Sequence, residues 1–324
     1  MIQQALNELS QQIRIRPRYD NFIGGQWVDP ATSATIPVIS PHSEERVGSV
    51  PEASTEDVDR AVAAARRAFD AGEWSNAAPE ERIAAVRRFS DLYMAKMMDI
   101  AAVITTEMGS PISFSQLAQT PAPWMMLNSF IDVAANHAWE ERRQGVLGGE
   151  VIIRSEAVGV VAAIVPWNVP QFVTMSKLAP ALLAGCSIII KPAPETPLDA
   201  MMMAELIAEA GIPEGVVSVL PAGREVGEHL VSHAGIDKVA FTGSTAAGRR
   251  IAAICGEQLK RCTLELGGKS AAIILDDADL GMVTEGLKFA SFMNNGQACV
   301  AQTRILASRT RYDEVVEAIA SFYA

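Results

Sequence analysis

Apolar positions along the chain change period near residue 158, and the change separates two kinds of structure. Upstream, Val58, Ala61, Val62, Ala65 and Phe69 recur every three to four residues behind Ser54 and Thr55, which predicts an amphipathic helix with a capped start. Pro79 opens a second long helix through Ile83, Val86, Phe89 and Met94, ended by Gly109, and a third helical stretch covers about 113–137. Residues 1–20 read as a polar lead-in, and Phe22–Val28 as a hairpin about Gly24 and Gly25. Downstream, short β-branched runs at 159–165, 187–190, 216–220 and 238–241 alternate with helical stretches at 171–184, 198–210, 224–233 and 245–257. Strands this apolar, separated by crossover helices, predict a doubly wound α/β domain whose parallel sheet is covered on both faces. A further cycle follows: a strand at 271–275, a helix over about 279–293, a strand at 303–307 and a helix from about 310 that is still running at Ala324. Residues 140–157 fit neither pattern. The polar run Glu140–Arg143, the turn at Gly148 and Gly149, and Val151–Arg154 predict an isolated hairpin, either an arm that pairs with another subunit or domain or a solvated loop.

Composition adds limits. A chain of 324 residues, 49% apolar and 20% charged, can bury a sizeable core, and its formal charge of −11 argues against a nucleic-acid binder. The longest apolar stretch, Leu178 to Ile190, contains Pro180 and Gly185 and is too short to span a bilayer. Met1–Gln4 opens without the profile of a signal peptide, and the four cysteines are too scattered for a disulfide framework or a zinc site. A cytoplasmic protein is expected. His229 and His233, one helical turn apart, have no carboxylate or cysteine nearby that completes a metal site, and Cys186, Cys255 and Cys262 read as buried small side chains.

Open parallel sheets bind ligands at the carboxyl ends of their strands. Three segments fall there: Pro166-Trp167-Asn168-Val169-Pro170 after Val165, Lys191–Pro197, and Phe241-Thr242-Gly243-Ser244 running into a helix through Gly248. The last offers backbone amides and a positive helix end to a phosphate, or is an ordinary Ser-capped helix. Lys191 suits a ribose or phosphate, or is solvated. Asn168 suits an oxyanion, or is a turn residue. Cys299, among small residues after Gly296-Gln297-Ala298, is the best nucleophile, and Glu265 in an apolar, Gly-bounded run is a candidate base.

These segments, with Asp57–Val62, Gly72-Glu73-Trp74, Glu107-Met108-Gly109, Lys177–Leu182, Leu264–Lys269 and Gly296–Cys299 in this order, resemble the aldehyde dehydrogenase superfamily along essentially the whole chain. The resemblance implies a Rossmann-like dinucleotide-binding domain over 1–138 and 158–267, an oligomerisation hairpin at 139–157, and the beginning of a second α/β catalytic domain at 268–324. It implies oxidation of an aldehyde to a carboxylic acid through a thiohemiacetal and a thioester on Cys299. Asn168 would hold the oxyanion, Glu265 would activate the hydrolytic water, and Lys177 would relay a proton. Val165, Pro166, Trp167, Lys191, Glu195, Gly223, Phe241, Gly243, Ser244, Gly248 and Leu266 would line the cofactor, with no metal. NAD is the implied cofactor. NADP is the alternative, because Pro194 stands where many NAD-preferring relatives carry a glutamate, here displaced to Glu195. Family members continue well beyond residue 324, so the chain reads as about the N-terminal two-thirds of a member that forms a homodimer or homotetramer at full length, and as inactive in isolation. A CoA-acylating relative and a truncated, non-catalytic dinucleotide binder are the alternatives, the first disfavoured by Glu265.

Overall fold

A computed structural model describes residues 19–323, so most of the polar lead-in and Ala324 lie outside the described residues. The chain divides into two compact units, one ending at Glu265 and one beginning at Leu266.

The first unit is built on a seven-stranded sheet. The strands in chain order are β1 (Asn21–Ile23), β2 (Gln26–Val28), β7 (Val160–Ile164), β8 (Ser187–Lys191), β9 (Val217–Val219), β10 (Lys238–Gly243) and β11 (Arg261–Leu266). Their spatial order is β11-β10-β7-β8-β9-β1-β2. β10, β7, β8 and β9 are parallel, while β1 joins β9 and β2 antiparallel. Every residue of β7 and β8 is buried, as their unbroken apolar runs require of strands covered on both faces. Each of Ile188, Ile189 and Ile190, fully buried, contributes roughly 1.5–3 kcal/mol.

Helices cover the sheet. α1 (Thr55–Ala71) starts in a capping box, the Ser54 hydroxyl accepting from the Asp57 amide while the Asp57 carboxylate accepts from the Ser54 amide. α2 (Pro79–Met108) stops at Gly109, whose φ of 80° suits glycine, and a Cβ there would lie 2.6 Å from Pro41. The third helical stretch is not continuous. Ile112–Phe114 is one helical turn, Ser115–Gln119 is a π turn closed by the Thr120 amide on the Ser115 carbonyl, and α3 (Pro121–Asn136) begins anew. Pro121 and Pro123 lack the amides that a continuous helix needs, so they sit in the first turn of α3. The crossover helices α4 (Pro170–Leu183), α5 (Leu198–Glu209), α6 (Arg224–Ser232) and α7 (Thr245–Glu257) fall within a residue or so of their expected places.

Glu107 ties the helical part to the sheet. Its carboxyl accepts from the amides of Leu198 and Asp199 at 2.8 and 2.9 Å, satisfying the start of α5. Burial raises Glu107 well above the ordinary carboxylate range and Asp199 to about 6.

Two further hairpins stand apart from the sheet. β3 (Thr35–Ile39) and β4 (Arg46–Pro51) pair antiparallel, with Ile36 and Val38 buried on alternate positions; this hairpin was not foreseen. β5 (Glu140–Gln144) and β6 (Glu150–Arg154) form the hairpin expected at 140–157 as a sheet of their own, with Val151, Ile152 and Ile153 exposed. The second unit contains a parallel pair, β12 (Ala271–Ile274) and β13 (Arg304–Ala307), with α8 (Leu280–Phe292) and α9 (Tyr312–Tyr323). Among the described residues no helix is long and apolar enough to cross a membrane.

Candidate active site

The chain runs outward from β7 through β8 to β9, then returns to place β10 on the other side of β7. The strand order therefore reverses between β7 and β10, where an open α/β sheet offers its crevice. Val165, Pro166, Trp167 and Asn168 leave β7 at this edge, and Gly243 and Ser244 leave β10. Val165 and Phe241 are buried at the strand ends, and the Trp167 side chain is partly exposed.

Lys191, at the end of β8, is buried and donates to the carbonyls of Pro192 and Ala222 at 2.9 and 2.7 Å. Those bonds use two of its three donors. Burial lowers its pKa to about 8 against the opposing pull of Glu195, which is exposed. Gly227 of α6 makes the lysine's position possible, since a Cβ there would lie 3.2 Å from Lys191 Cδ. Gly223 begins α6 in extended conformation without a side-chain cap, and a Cβ on it would lie 3.4 Å from Glu52. Glu52 and Gly227 are members of this edge that the sequence did not single out.

Ser244 caps α7, its hydroxyl accepting from the Ala247 amide at 3.3 Å. The capped-helix and anion-site readings are thus both present, because α7 has no acidic residue in its first turn and keeps a positive end. Gly243 lies over the Phe241 ring, where a Cβ would come within 2.6 Å of Cζ, and Gly248 is buried in the first turns of α7. A third donor on Lys191, backbone without Cβ at Gly243, and a positive helix end fit a dinucleotide.

Lys177 of α4 is buried and donates to the Thr242 hydroxyl at 2.8 Å. Burial lowers its pKa to about 8, the Glu265 carboxylate opposing and Lys238 assisting. Near neutrality it can therefore both give and take a proton. Thr242 is invisible as a partner in sequence, lying 65 residues away. Gln119, carried by the π turn, donates to the Asn168 carbonyl at 3.0 Å and so fixes the backbone of that loop. Glu265 is exposed on β11, which stands at the end of the sheet among the described residues.

In the second unit, Cys299 is exposed. The segment before it turns through three consecutive left-handed residues, Asn294, Asn295 and Gly296, with φ of 54°, 58° and 71°. Asn294 is buried; its backbone carbonyl accepts from the Gln297 amide at 3.0 Å and its side-chain amide donates to the Gln297 carbonyl at 3.3 Å. Asparagine tolerates this region better than most residues, which explains the Asn-Asn-Gly run. Leu266, at the end of β11, opens the same unit.

Two readings need correction. His229 and His233 do have a carboxylate: Asp59 of α1 lies 2.7 and 3.5 Å from their Nε2 atoms, brought there by packing across 170 residues. No cluster of three or more His, Cys, Asp or Glu side chains able to hold a metal ion is present among the described residues. Cys262 is exposed rather than buried, again because β11 is an edge strand.

The family model described as "Aldehyde dehydrogenase family" matches residues 27–324. The chain is 46% identical over 299 residues to geranial dehydrogenase of Castellaniella defragrans, a match that covers 92% of this chain and 63% of that protein. Among solved structures it resembles an aldehyde dehydrogenase of Mycobacterium tuberculosis complexed with NAD+, with a TM-score of 0.91, 48% identity, and 94% and 63% of the two chains covered. It also resembles a mutant aldehyde dehydrogenase C of Pseudomonas syringae complexed with NAD+ and octanal, with a TM-score of 0.89, 36% identity, and 94% and 61% covered. The chain thus spans roughly three-fifths of the length of these relatives. By its family match, its relatives and its sheet topology, this chain belongs to the aldehyde dehydrogenase family.

Proposed function

We propose that the complete protein oxidises an aldehyde to a carboxylic acid with NAD, and that this chain carries the dinucleotide site and the nucleophile. The observation that carries the reading is the edge at the strand reversal. There Lys191 keeps one donor beyond its two carbonyl bonds, and the Gly243–Ser244 turn opens the positive end of α7. Lys191 would hold an adenosine ribose, with Glu195 or Glu52 as acceptor, and the turn at Gly243, Ser244 and Gly248 the pyrophosphate. Val165, Pro166, Trp167, Gly223, Phe241 and Leu266 complete the lining. The displaced Glu195 leaves NADP as the alternative to test. When bound, the dinucleotide accepts a hydride.

Cys299 attacks the aldehyde carbon and forms a thiohemiacetal, a better hydride donor than the aldehyde itself. Asn168 donates its side-chain amide to the oxyanion. After oxidation to the thioester, Glu265 takes a proton from the water that displaces the Cys299 thiolate and releases the acid. Lys177 passes a proton through the Thr242 hydroxyl. The presence of Glu265 favours water over CoA as the acyl acceptor. An apolar aldehyde is the expected substrate, supported by the names of the geranial-oxidising relative and the octanal complex. Residues up to 138 and 158–267 would form the dinucleotide domain, and 268–324 would begin the catalytic domain. The exposed Val151–Ile153 of β6 would bury against a second copy in a homodimer or homotetramer. Four free cysteines favour a cytoplasmic setting.

The test is absorbance at 340 nm with the complete protein, NAD or NADP, and a panel of aliphatic and aromatic aldehydes. No nucleotide reduction with any aldehyde would refute the activity.

A further inference from the structure

Gln119 belongs to neither of the strand ends that form the proposed site, but its side chain reaches one of them. It is 2% exposed, ends the π turn Ser115–Gln119, and donates to the Asn168 carbonyl at 3.0 Å. A π turn holds one residue more than an α turn, so it aims its last side chain along a bearing that a continuous α-helix would not give. The turn is itself braced. The Thr105 hydroxyl donates to the Ser115 hydroxyl at 2.8 Å, and the Thr120 amide and hydroxyl each donate to the Ser115 carbonyl at 3.2 Å. The Gln119 amide also lies 3.6 Å from the Met108 sulfur at the end of α2. On the receiving side, Pro166 and Pro170 bring no N–H to their loop, and Val169 starts α4 without a side-chain cap. The Thr196 hydroxyl reaches the Trp167 carbonyl only at 3.4 Å, a weaker hold than the Gln119 bond. Beyond the loop, Gln171 is fully buried and donates to the Asp199 carboxylate and carbonyl at 2.6 and 3.0 Å, in the first turn of the helix that Glu107 caps.

We propose that Gln119 is a positioning residue for aldehyde oxidation: by holding the Asn168 carbonyl, it fixes where the Asn168 side-chain amide meets the developing oxyanion. The inference rests on the reading of Asn168 as the oxyanion donor. A bond to the Asn168 carbonyl sets the peptide plane that follows its Cα, and Gln171 anchors the first turn of α4 immediately after it. The direction in which the Asn168 side chain leaves the backbone is thus set from both sides of the loop. An oxyanion donor acts through preorganisation, so a small error in its placement costs rate. Its contact strengthens only as charge develops, so the same error leaves ground-state binding almost unchanged.

The experiment compares the complete protein with Gln119→Met, Asn168→Ala and the double variant, by single-turnover nucleotide reduction and by fluorescence titration with NAD. Gln119→Met keeps the length of the side chain and removes its donor. It should slow the first turnover by about ten- to a hundredfold and leave NAD affinity within about twofold of the parent's. In the Asn168→Ala background the same substitution should cost nothing further, because no side-chain amide remains to be placed. Losses that multiply in the double variant would assign Gln119 to the fold alone and overturn the proposal. A parent-like rate in Gln119→Met beside a slow Asn168→Ala would overturn it too, with the oxyanion reading left standing. A parent-like rate in Asn168→Ala removes the oxyanion reading, and the positioning role with it. Should Gln119→Met fail to fold, Gln119→Glu carries the test. A carboxyl there donates to the Asn168 carbonyl only while protonated, and burial raises its pKa. The ratio of variant to parent rate should therefore fall as pH rises between about 6 and 9, with NAD titration at each pH reporting an intact fold. A ratio independent of pH over this range would overturn the proposal.

Discussion

The strand-end edge of the first unit and the Cys299 segment of the second position their groups by opposite means. At the edge, side chains are held: Lys191 and Lys177 are buried, and each is tied by its ammonium to named oxygens. Around Cys299 the backbone is held instead, through three successive left-handed residues, and the thiol is exposed. A cofactor site can thus be assembled from ordinary elements whose polar tips are anchored by burial. A loop thiol, if it is the nucleophile proposed above, needs its direction written into φ and ψ.

The largest effect that would sharpen this contrast is at the thiol. Cys299→Ala in the complete protein should cut nucleotide reduction by about a thousandfold or more. Fluorescence titration should find dinucleotide affinity unchanged, and equal turnover in the mutant would remove Cys299 from the chemistry. On the other side, Lys191→Met should weaken dinucleotide binding by about ten- to a hundredfold, as expected for losing a charged hydrogen bond worth about 1.5–3 kcal/mol. Undiminished affinity would mean that this lysine serves only the Pro192 and Ala222 carbonyls.

A smaller effect separates backbone from side-chain control. Asn295→Val should cost about 1–2 kcal/mol of stability in the second unit, while Asn295→Gly should be nearly neutral, measured by denaturant unfolding. Equal costs would show that the left-handed turn is not what Asn295 provides.

The smallest effect concerns the buried carboxyls. Asp199 is raised to about 6, so the folded state keeps a proton that the unfolded chain loses near pH 4, and stability falls as pH rises between about 4 and 6. Asp199→Asn removes that fall, and its melting temperature should gain on the parent's as pH increases from 4 to 7. A constant difference across this range would show that Asp199 does not hold its proton above pH 4.

Much of the first unit was legible because its signals are local. The runs Val160–Ile164 and Ser187–Lys191 and the stop at Gly109 each declare an element within a few residues. The β3–β4 hairpin could have been found from the alternation of Ile36 and Val38, although Pro37 between them disguised it. The break after Phe114 was signalled by Pro121 and Pro123. What stayed hidden was every partnership made by topology: Gln119 with Asn168, Lys177 with Thr242, and Asp59 with both histidines. The exposure of Glu265 was hidden for the same reason, since apolar neighbours in sequence do not shield a residue on the end strand of the described sheet.

The Glu107 bridge also has a consequence for the order of events at the ribosome. The amides that its carboxyl accepts from belong to residues 91 and 92 positions later. Until those residues emerge, α2 carries an acid destined for burial with neither acceptor role filled, so the helical segment cannot settle as an independent lobe. The first unit should therefore fold in one cooperative step that waits for α5 to be synthesised, and its nascent N-terminal half should depend on chaperones in the interval.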